Sequence, residues 1–580
     1  MINKLKNIIK NNKIISFDIF DTLLVRPYYK PDDLFLHLEY LEKAENFKQI
    51  RIKAEETALK QLKYKEEISL DDIYANIPQK YKYLKAKELE LEYKILQPNS
   101  EIIDIFNYAK SLNKKIIITS DMYLPFKFVE KILNKNGIIG YYKLYLSSKE
   151  NKSKNSGTLY KRILENLNIS PSHIFHIGDN KNSDYLVPKQ IGINSFLYPT
   201  IMKQFINSNK LFLNLLKKKN ISLGISISLG ICAINWIKSK KENNYFYNLG
   251  FNIAGIANYC FCNFINEEAI KKNIDQILFV TRDGYTLEKS FKFFNNTIST
   301  NYVSLNRFQT KIDDFINGVN LDKEEYKQIL LFLKQVFINN KLIQQYTIDI
   351  IDIQNFISNN YNILKDLLSQ YQKNFYLYIN NKINKNTKNI MIADSTTNSF
   401  SAALLAKKIL ETKIIYSISL QTTAKSVPNE IKSLHLLEIK NKSDGFENWD
   451  LMEFFFSAPT PQVLGIDFHE RFVYGEKNPY ENSNITAYKD VSKGMIDFVK
   501  EIKNIFSDSK LFININDVKV WINNFCIYYT DSDYKKMKTI FHSSCNNQIY
   551  NNILQKKSLF KRKFNKFIKN LKKSIINKST

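Results

Sequence analysis

The stretch Ile14-Ile15-Ser16-Phe17-Asp18-Ile19-Phe20-Asp21-Thr22-Leu23-Leu24 opens as an apolar run and closes on a carboxylate in a tight, Thr-containing turn. A short apolar run bounded by turn residues reads as a buried strand, and Asp18 stands where that strand ends. Three later segments share the pattern. Ser120 follows the run Lys115 to Ile118, Lys154 precedes Ser156-Gly157, and Asp179 and Asp184 lie in His176-Ile177-Gly178-Asp179-Asn180-Lys181-Asn182-Ser183-Asp184. Open α/β sheets bind ligands at the carboxyl ends of parallel strands, so an α/β fold with these four segments at one edge is expected.

The residue types define a chemistry. A carboxylate can attack phosphorus only where the phosphoryl oxygens are neutralised and held, which asks for a cation, a Lys and short hydroxyl donors. Asp18 supplies the nucleophile, Ser120 and Lys154 hold the phosphoryl group, and Asp179 and Asp184 suit a hard divalent ion such as Mg2+. Read singly, each piece has a plain meaning. Asp18 and Asp21 are ordinary turn or cap residues, Lys154 belongs to a Lys-rich surface run, and Gly178-Asp179 is strand-to-helix punctuation. Their combination, each piece after an apolar run, is what makes a site.

In order and spacing the four segments resemble the haloacid dehalogenase superfamily of hydrolases over roughly residues 10 to 200. The resemblance implies a Rossmann-like core with an inserted helical cap. It makes Asp18 the nucleophile, Ser120 the second-motif hydroxyl and Lys154 the third-motif base. Asp18, the backbone carbonyl of Phe20, Asp179 and Asp184 then become the ligands of Mg2+. One position departs. Phe20 stands where phosphatases of this superfamily carry the Asp that protonates the leaving group, which leaves Asp21 and Asp121 as the candidate general acids. An aromatic residue there also resembles the true dehalogenases, but those lack an acidic pair such as Gly178-Asp179, so a metal-dependent phosphohydrolase is expected.

The residues between the first two segments, from Pro31-Asp32-Asp33-Leu34 to Asn113, carry helical periodicity and capping signals. They read as a helical cap over about 30–113. Within it, Arg51-Ile52-Lys53-Ala54-Glu55-Glu56 and Glu88-Leu89-Glu90-Leu91-Glu92 alternate charge as exposed faces do. A narrower resemblance is to members of the superfamily found with bacterial surface-polysaccharide and capsule biosynthesis proteins. It is carried by Phe17 to Arg26, Ser120-Asp121-Met122-Tyr123-Leu124 and Lys154-Asn155-Ser156-Gly157-Thr158-Leu159-Tyr160, and farther on by Thr281-Arg282-Asp283-Gly284-Tyr285 and Glu453 to Pro459. The implied substrate is a phosphorylated sugar or related small metabolite of glycan assembly.

At 580 residues the chain exceeds one ordinary core. The first domain is expected over 1–205, with a connector near 200 to 222. Ile221 to Ile237 is apolar but short and broken by Gly224 and Gly230, so it reads as a buried helix rather than a membrane span. A second α/β domain over 222–535 follows from alternating strand-like and helix-like runs. There Ile390-Met391-Ile392-Ala393-Asp394 ends in an Asp and is followed by Ser395-Thr396-Thr397-Asn398-Ser399. This reads as a hydroxyl-rich loop before a helix, able to bind phosphate or simply to cap it. Arg282, Asp283 and Asp394 are the candidates for one crevice.

Of the net charge of +27, 13 cations and no acids lie from Tyr534 onward, leaving +14 before it. Residues 556–580 repeat Phe, Ile and Leu at helical spacing among Lys and Arg, a basic amphipathic tail suited to an anionic membrane surface. Nucleic acid is not expected as a partner, because no recognition motif accompanies the charge. The five cysteines have no disulfide or zinc spacing, and no Walker or Gly-x-Gly-x-x-Gly fingerprint occurs. A cytoplasmic hydrolase, held peripherally at the inner face of the cell membrane, is the resulting expectation. The alternative is a catalytically degenerate phosphosugar-binding module fused to a glycosyl- or phospho-transferase-like domain.

Overall fold

The computed structural model describes residues 1–62, 65–217, 221–239, 244–294, 297–345, 353–441, 444–475, 479–506, 513–542 and 551–554. The basic tail at 556–580 lies outside the described residues, as does Cys545. The chain divides into two compact units, 1–243 with 500–517 and 244–499 with 518–580.

The first unit is built on strand β1 (Ile14–Phe17), the strand expected from the opening stretch. It is followed by a two-residue ribbon, β2 (Leu24–Val25) paired with β3 (Gln97–Pro98). Then come β4 (Lys115–Ser120), β5 (Lys143–Leu146), β6 (Ile174–Gly178) and β7 (Asn194–Leu197). These make one parallel sheet in the order β5-β4-β1-β6-β7. The chain fills one side of β1 before crossing to the other, so the topological switch point falls between β1 and β6, where such sheets bind ligands.

Helix α1 (Ile2–Asn11) precedes β1, and four helices lie between the ribbon strands: α2 (Asp33–Leu41), α3 (Phe47–Lys60), α4 (Leu70–Ala75) and α5 (Leu84–Ile95). These four form the cap, and the ribbon marks its two hinges. Helix α6 (Ser100–Ser111), inside the expected cap range, packs on the core instead, with Phe106 against Phe17 at 5.6 Å between ring centroids. Its apolar face, Ile102, Ile105, Phe106 and Ala109, is what the sheet buries.

The cap charges read as exposed are partly buried, which corrects that expectation. Arg51 has no exposed surface, and Glu88 and Glu92 are also buried. Arg51 makes two 2.9 Å bonds to Glu88, which also accepts from Tyr74 at 2.7 Å. Its guanidinium lies over the rings of Phe35 and Tyr123 at 4.6 and 4.9 Å. Arg26 of the ribbon pairs with Glu92 of α5. Arg51 also bonds Glu55 one turn on at 2.8 Å, but Glu88, the partner that lets it leave water, stands on another helix where spacing along one helix cannot reveal it.

The expected buried helix is Leu223–Lys238, and no described helix is long and apolar enough to cross a membrane. A Cβ at Gly230 would collide with the backbone of Pro27 and Tyr28, so this helix packs against that loop only because glycine stands there. Residues 500–517 complete the same unit. Phe506 packs on Tyr28 and His37, and Asp517 accepts from Ser222 at 2.6 Å.

The second unit holds another parallel sheet of five strands: β8 (Gln276–Val280), β9 (Ser299–Val303), β10 (Asn389–Thr397), β11 (Ile414–Thr422) and β12 (Ile431–Glu438), in the order β12-β11-β10-β8-β9. Its switch point lies between β8 and β10. The hydroxyl run Ser395-Thr396-Thr397 is a continuation of β10, not a loop at a helix start. Thr396 and Thr397 stay in register with Gln421 and Thr422 of β11, and the next helix begins at Ser401. Long pairing with β11 outweighs the turn preference of these residues.

Candidate active site

Asp18 follows β1 directly, and its N–H continues the ladder to Ile177 of β6 at 2.9 Å. That places its carboxylate at the switch point beside Asp179, which follows Gly178. Oxygens of Asp18, Asp179 and Asp184 lie within 4.8 Å of one another. Lys154 reaches Asp18 Oδ1 at 2.6 Å and Asp184 Oδ1 at 2.5 Å, with 3% of its side chain exposed. Ser120 is buried at the end of β4, two strands from β6 across β1. The structure thus brings Asp18, Lys154, Asp179 and Asp184 into one cluster, with Ser120 at the same edge of the sheet.

Three carboxyls share one lysine, and their proton affinities separate accordingly. Asp18 is pushed up to about 7, chiefly by burial, with Lys154 opposing and Asp184 adding. Asp179 is pushed up to about 8 by burial, then by Asp18 and Asp21. Burial also acts on Asp184, but Lys154 and then His176 outweigh it and hold this carboxyl well below the usual range. Burial works against the charge on Lys154, yet Asp18 and Asp184 keep it strongly protonated. The cluster therefore carries more acid than its lysine balances. Hard oxygen donors with surplus negative charge are the donor set a divalent cation takes, so the residues present fit such an ion.

Several contributors were not singled out from sequence. His176 lies in register with Ser16 across β1 and β6; its Nδ1 is 2.8 Å from Ser16 Oγ and its Nε2 is 3.1 Å from Asp184 Oδ1. With Asp184 ionised, Nε2–H donates and Nδ1 accepts from the serine. Burial keeps the imidazole neutral, lowering its proton affinity against the pull of Asp184. Thr22 donates to Asp179 Oδ1 at 3.3 Å. A Cβ at Gly178 would fall inside the Asp184 side chain, so glycine is what lets Asp184 approach the strand end. The one signal in the sequence was a polar His inside an apolar strand.

The two candidate acids differ in their surroundings. Asp121 accepts the backbone N–H of Lys154 at 2.7 Å and of Asn155 at 3.2 Å, one on each oxygen, and so fastens the Lys154 loop to the end of β4. Asp21 has a left-handed backbone, φ 55°, and burial raises its carboxyl against the attraction of Arg26. Phe20 lies under the Arg26 guanidinium at 4.7 Å. From the cap, Glu66 accepts from Ser156 Oγ at 3.1 Å and from Thr158, and Glu67 accepts from Ser147 Oγ at 3.3 Å. Burial, then Asp121, push Glu67 up to about 7. A cavity of about 400 Å³ between cap and core is lined by Phe35, Ile52 and Glu55 of the cap and by Arg26, Met122 and Tyr123.

In the second unit, Asp283 follows β8 and Asp394 lies on β10, on the two sides of the switch point. Ser395 donates to Asp283. Asp394 is pushed up to about 7 by burial and then by the negative charge of Asp283, with Arg307 opposing. Arg282 lies 6.0 Å from the Tyr488 ring centroid.

A raised carboxyl pKa has a definite sign. The folded state holds the Asp394 proton up to about pH 7 while the unfolded chain loses it near 4, so stability falls across that window as pH rises. Asp394→Asn removes the penalty. The variant should gain about 2 kcal/mol over wild type above pH 8, a figure discounted for partial exposure, and the gain should shrink toward zero by pH 4. Thermal midpoints measured from pH 4 to 9 check this, and a difference independent of pH contradicts it.

Residues 12–192 match the family model of haloacid dehalogenase-like hydrolases. Among solved structures, a haloacid dehalogenase-like family hydrolase from Xanthomonas campestris aligns with 33% of this chain and 82% of its own, at 15% identity and a TM-score of 0.25. A HAD phosphatase from Thermococcus onnurineus aligns with 32% and 85%, at 17% identity and a TM-score of 0.25. A predicted phosphoglycolate phosphatase from Haemophilus somnus aligns with 33% and 91%, at 13% and 0.24. A search of curated proteins finds no match.

Proposed function

We propose that the haloacid dehalogenase-like hydrolase domain at residues 12–192 is a metal-dependent phosphohydrolase that works through an aspartyl phosphate on Asp18. The observation that carries this is the convergence of Asp18, Asp179 and Asp184 around a single Lys154 at the switch point. Asp18 forms a bond to phosphorus as the ester oxygen leaves with the bonding pair, and water then cleaves the acyl phosphate to regenerate the carboxylate. Lys154 and Ser120 hold the phosphoryl oxygens. Mg2+ is the ion proposed for Asp18, Asp179, Asp184 and the Phe20 carbonyl, and when bound it supplies neutralisation of the phosphoryl charge.

Of the two acids, Asp21 is favoured as donor to the leaving group. Burial raises both carboxyls, but both oxygens of Asp121 are engaged by backbone N–H groups, which points to a positioning role. The substrate class, a phosphorylated sugar or related small metabolite of surface-glycan biosynthesis, rests on the resemblance of the segments at Phe17, Ser120 and Lys154. An anionic membrane surface is the partner proposed for the tail at 556–580.

The test is phosphate release from a panel of sugar phosphates with and without Mg2+ after chelation of the purified protein. Turnover is expected only with the ion restored. Full turnover in chelator contradicts the proposal.

A further inference from the structure

One face of the second sheet changes character along its length. Parallel register aligns Ile390, Ile415 and Ile431 on β10, β11 and β12, and these belong to the apolar core. One pleat on, the row is Ile392, Ser417 and Ser433. The next is Asp394, Ser419 and His435, followed by Thr396 with Gln421. Residues two apart on a strand share a face, so the polar rows form one patch at the carboxyl ends of three adjacent strands, continuing to the β8/β10 switch point where Asp283 stands.

Within this patch Thr396 Oγ1, Ser419 Oγ, Ser433 Oγ and His435 Nδ1 are buried and find no hydrogen-bond partner within the described protein. Ser419 itself has no exposed surface and is the register neighbour of Asp394. Thr281 Oγ1, just past β8, is in the same condition. Buried polar atoms are nearly always paired, because leaving one unpaired costs about 1–3 kcal/mol. Five such atoms around the strand ends where open α/β sheets bind ligands are too many for packing alone to explain.

We propose that this patch is a binding site for a sugar. The composition selects the class. Four hydroxyls both donate and accept and an imidazole offers a ring nitrogen, while Asp283 and Asp394 only accept when ionised. A polyhydroxylated ring meets both demands through its several O–H groups. Phosphate would meet two carboxylates, and a divalent cation would find only two charged ligands among neutral hydroxyls. The site lies wholly within the second unit and does not depend on the chemistry at Asp18.

The experiment uses the full chain carrying Asp18→Asn, to prevent turnover, and saturation-transfer difference NMR. The probes are glucose, galactose, mannose and N-acetylglucosamine with their 1-phosphates. At least one sugar is expected to show transfer to its ring protons. Adding Thr396→Val or Ser419→Ala is expected to weaken that binding at least tenfold without lowering the thermal midpoint, because each deletes a hydroxyl that makes no bond in the fold. Inorganic phosphate in excess is expected to leave the ring signals in place. Absence of transfer from every probe overturns the proposal. So does transfer that both variants leave unchanged, which would locate binding elsewhere.

Discussion

Asp18→Asn is expected to lower phosphate release by at least about a thousandfold, the scale of losing a covalent nucleophile, while leaving the protein folded. The amide keeps the size and shape of the carboxyl but cannot donate an electron pair to phosphorus as an anion. The structure gives the second half of the result. Burial makes the ionised form of Asp18 costly, and the substitution leaves Lys154 its other partner, Asp184, 2.5 Å away in the wild-type structure. The melting temperature of the metal-free variant should therefore equal or exceed that of wild type. Activity within tenfold of wild type would sink the assignment of the nucleophile.

Lys154→Met should produce the opposite pairing of effects: loss of activity with loss of stability. The variant leaves Asp18 and Asp184 buried without their shared cation, and breaking a buried ion pair by removing one partner costs about 3–5 kcal/mol. For a domain of this size that is a fall of about 10 °C. In wild type, Asp184 has a depressed proton affinity, so the stability it contributes is present above the unfolded carboxyl's range near 4 and is lost only as pH falls through its own low value. Without Lys154 both carboxyls take up protons more readily, so the deficit should be largest at neutral and alkaline pH and shrink toward pH 4. Added Mg2+ should recover part of it by binding the folded state. A melting profile matching wild type across pH would show that the lysine does not carry this charge balance.

The difference between these two variants also explains what could be read in advance. Asp18, Lys154, Asp179 and Asp184 each follow or flank a local apolar run, and a strand of four to six residues writes its pattern in consecutive letters. His176 belongs to the same network but depends on the register between β1 and β6, which joins residues 160 positions apart. Arg51 and Glu88 read as solvated because each is the other's buried partner from a different helix. In the second sheet, β10 runs through Ser395, Thr396 and Thr397 because β11 pairs along its whole length, a neighbour the local sequence does not announce. The helix at Ser100–Ser111 reads as part of the cap because its amphipathic pattern shows that one face is buried but not against what.

The return of residues 500–517 to the first unit sets the order in which this protein can be made. Domains ordinarily fold as they leave the ribosome, the earliest first. Here β1 is synthesised before the second sheet, yet Phe506 against Tyr28 and His37, and Asp517 against Ser222, arrive only after the whole second sheet has been translated. The nascent first domain must wait with the apolar surface around Tyr28 uncovered while more than 250 further residues are added. A fragment cut after Asn243 would keep Asp18, Ser120, Lys154, Asp179 and Asp184 and still be an unfinished fold.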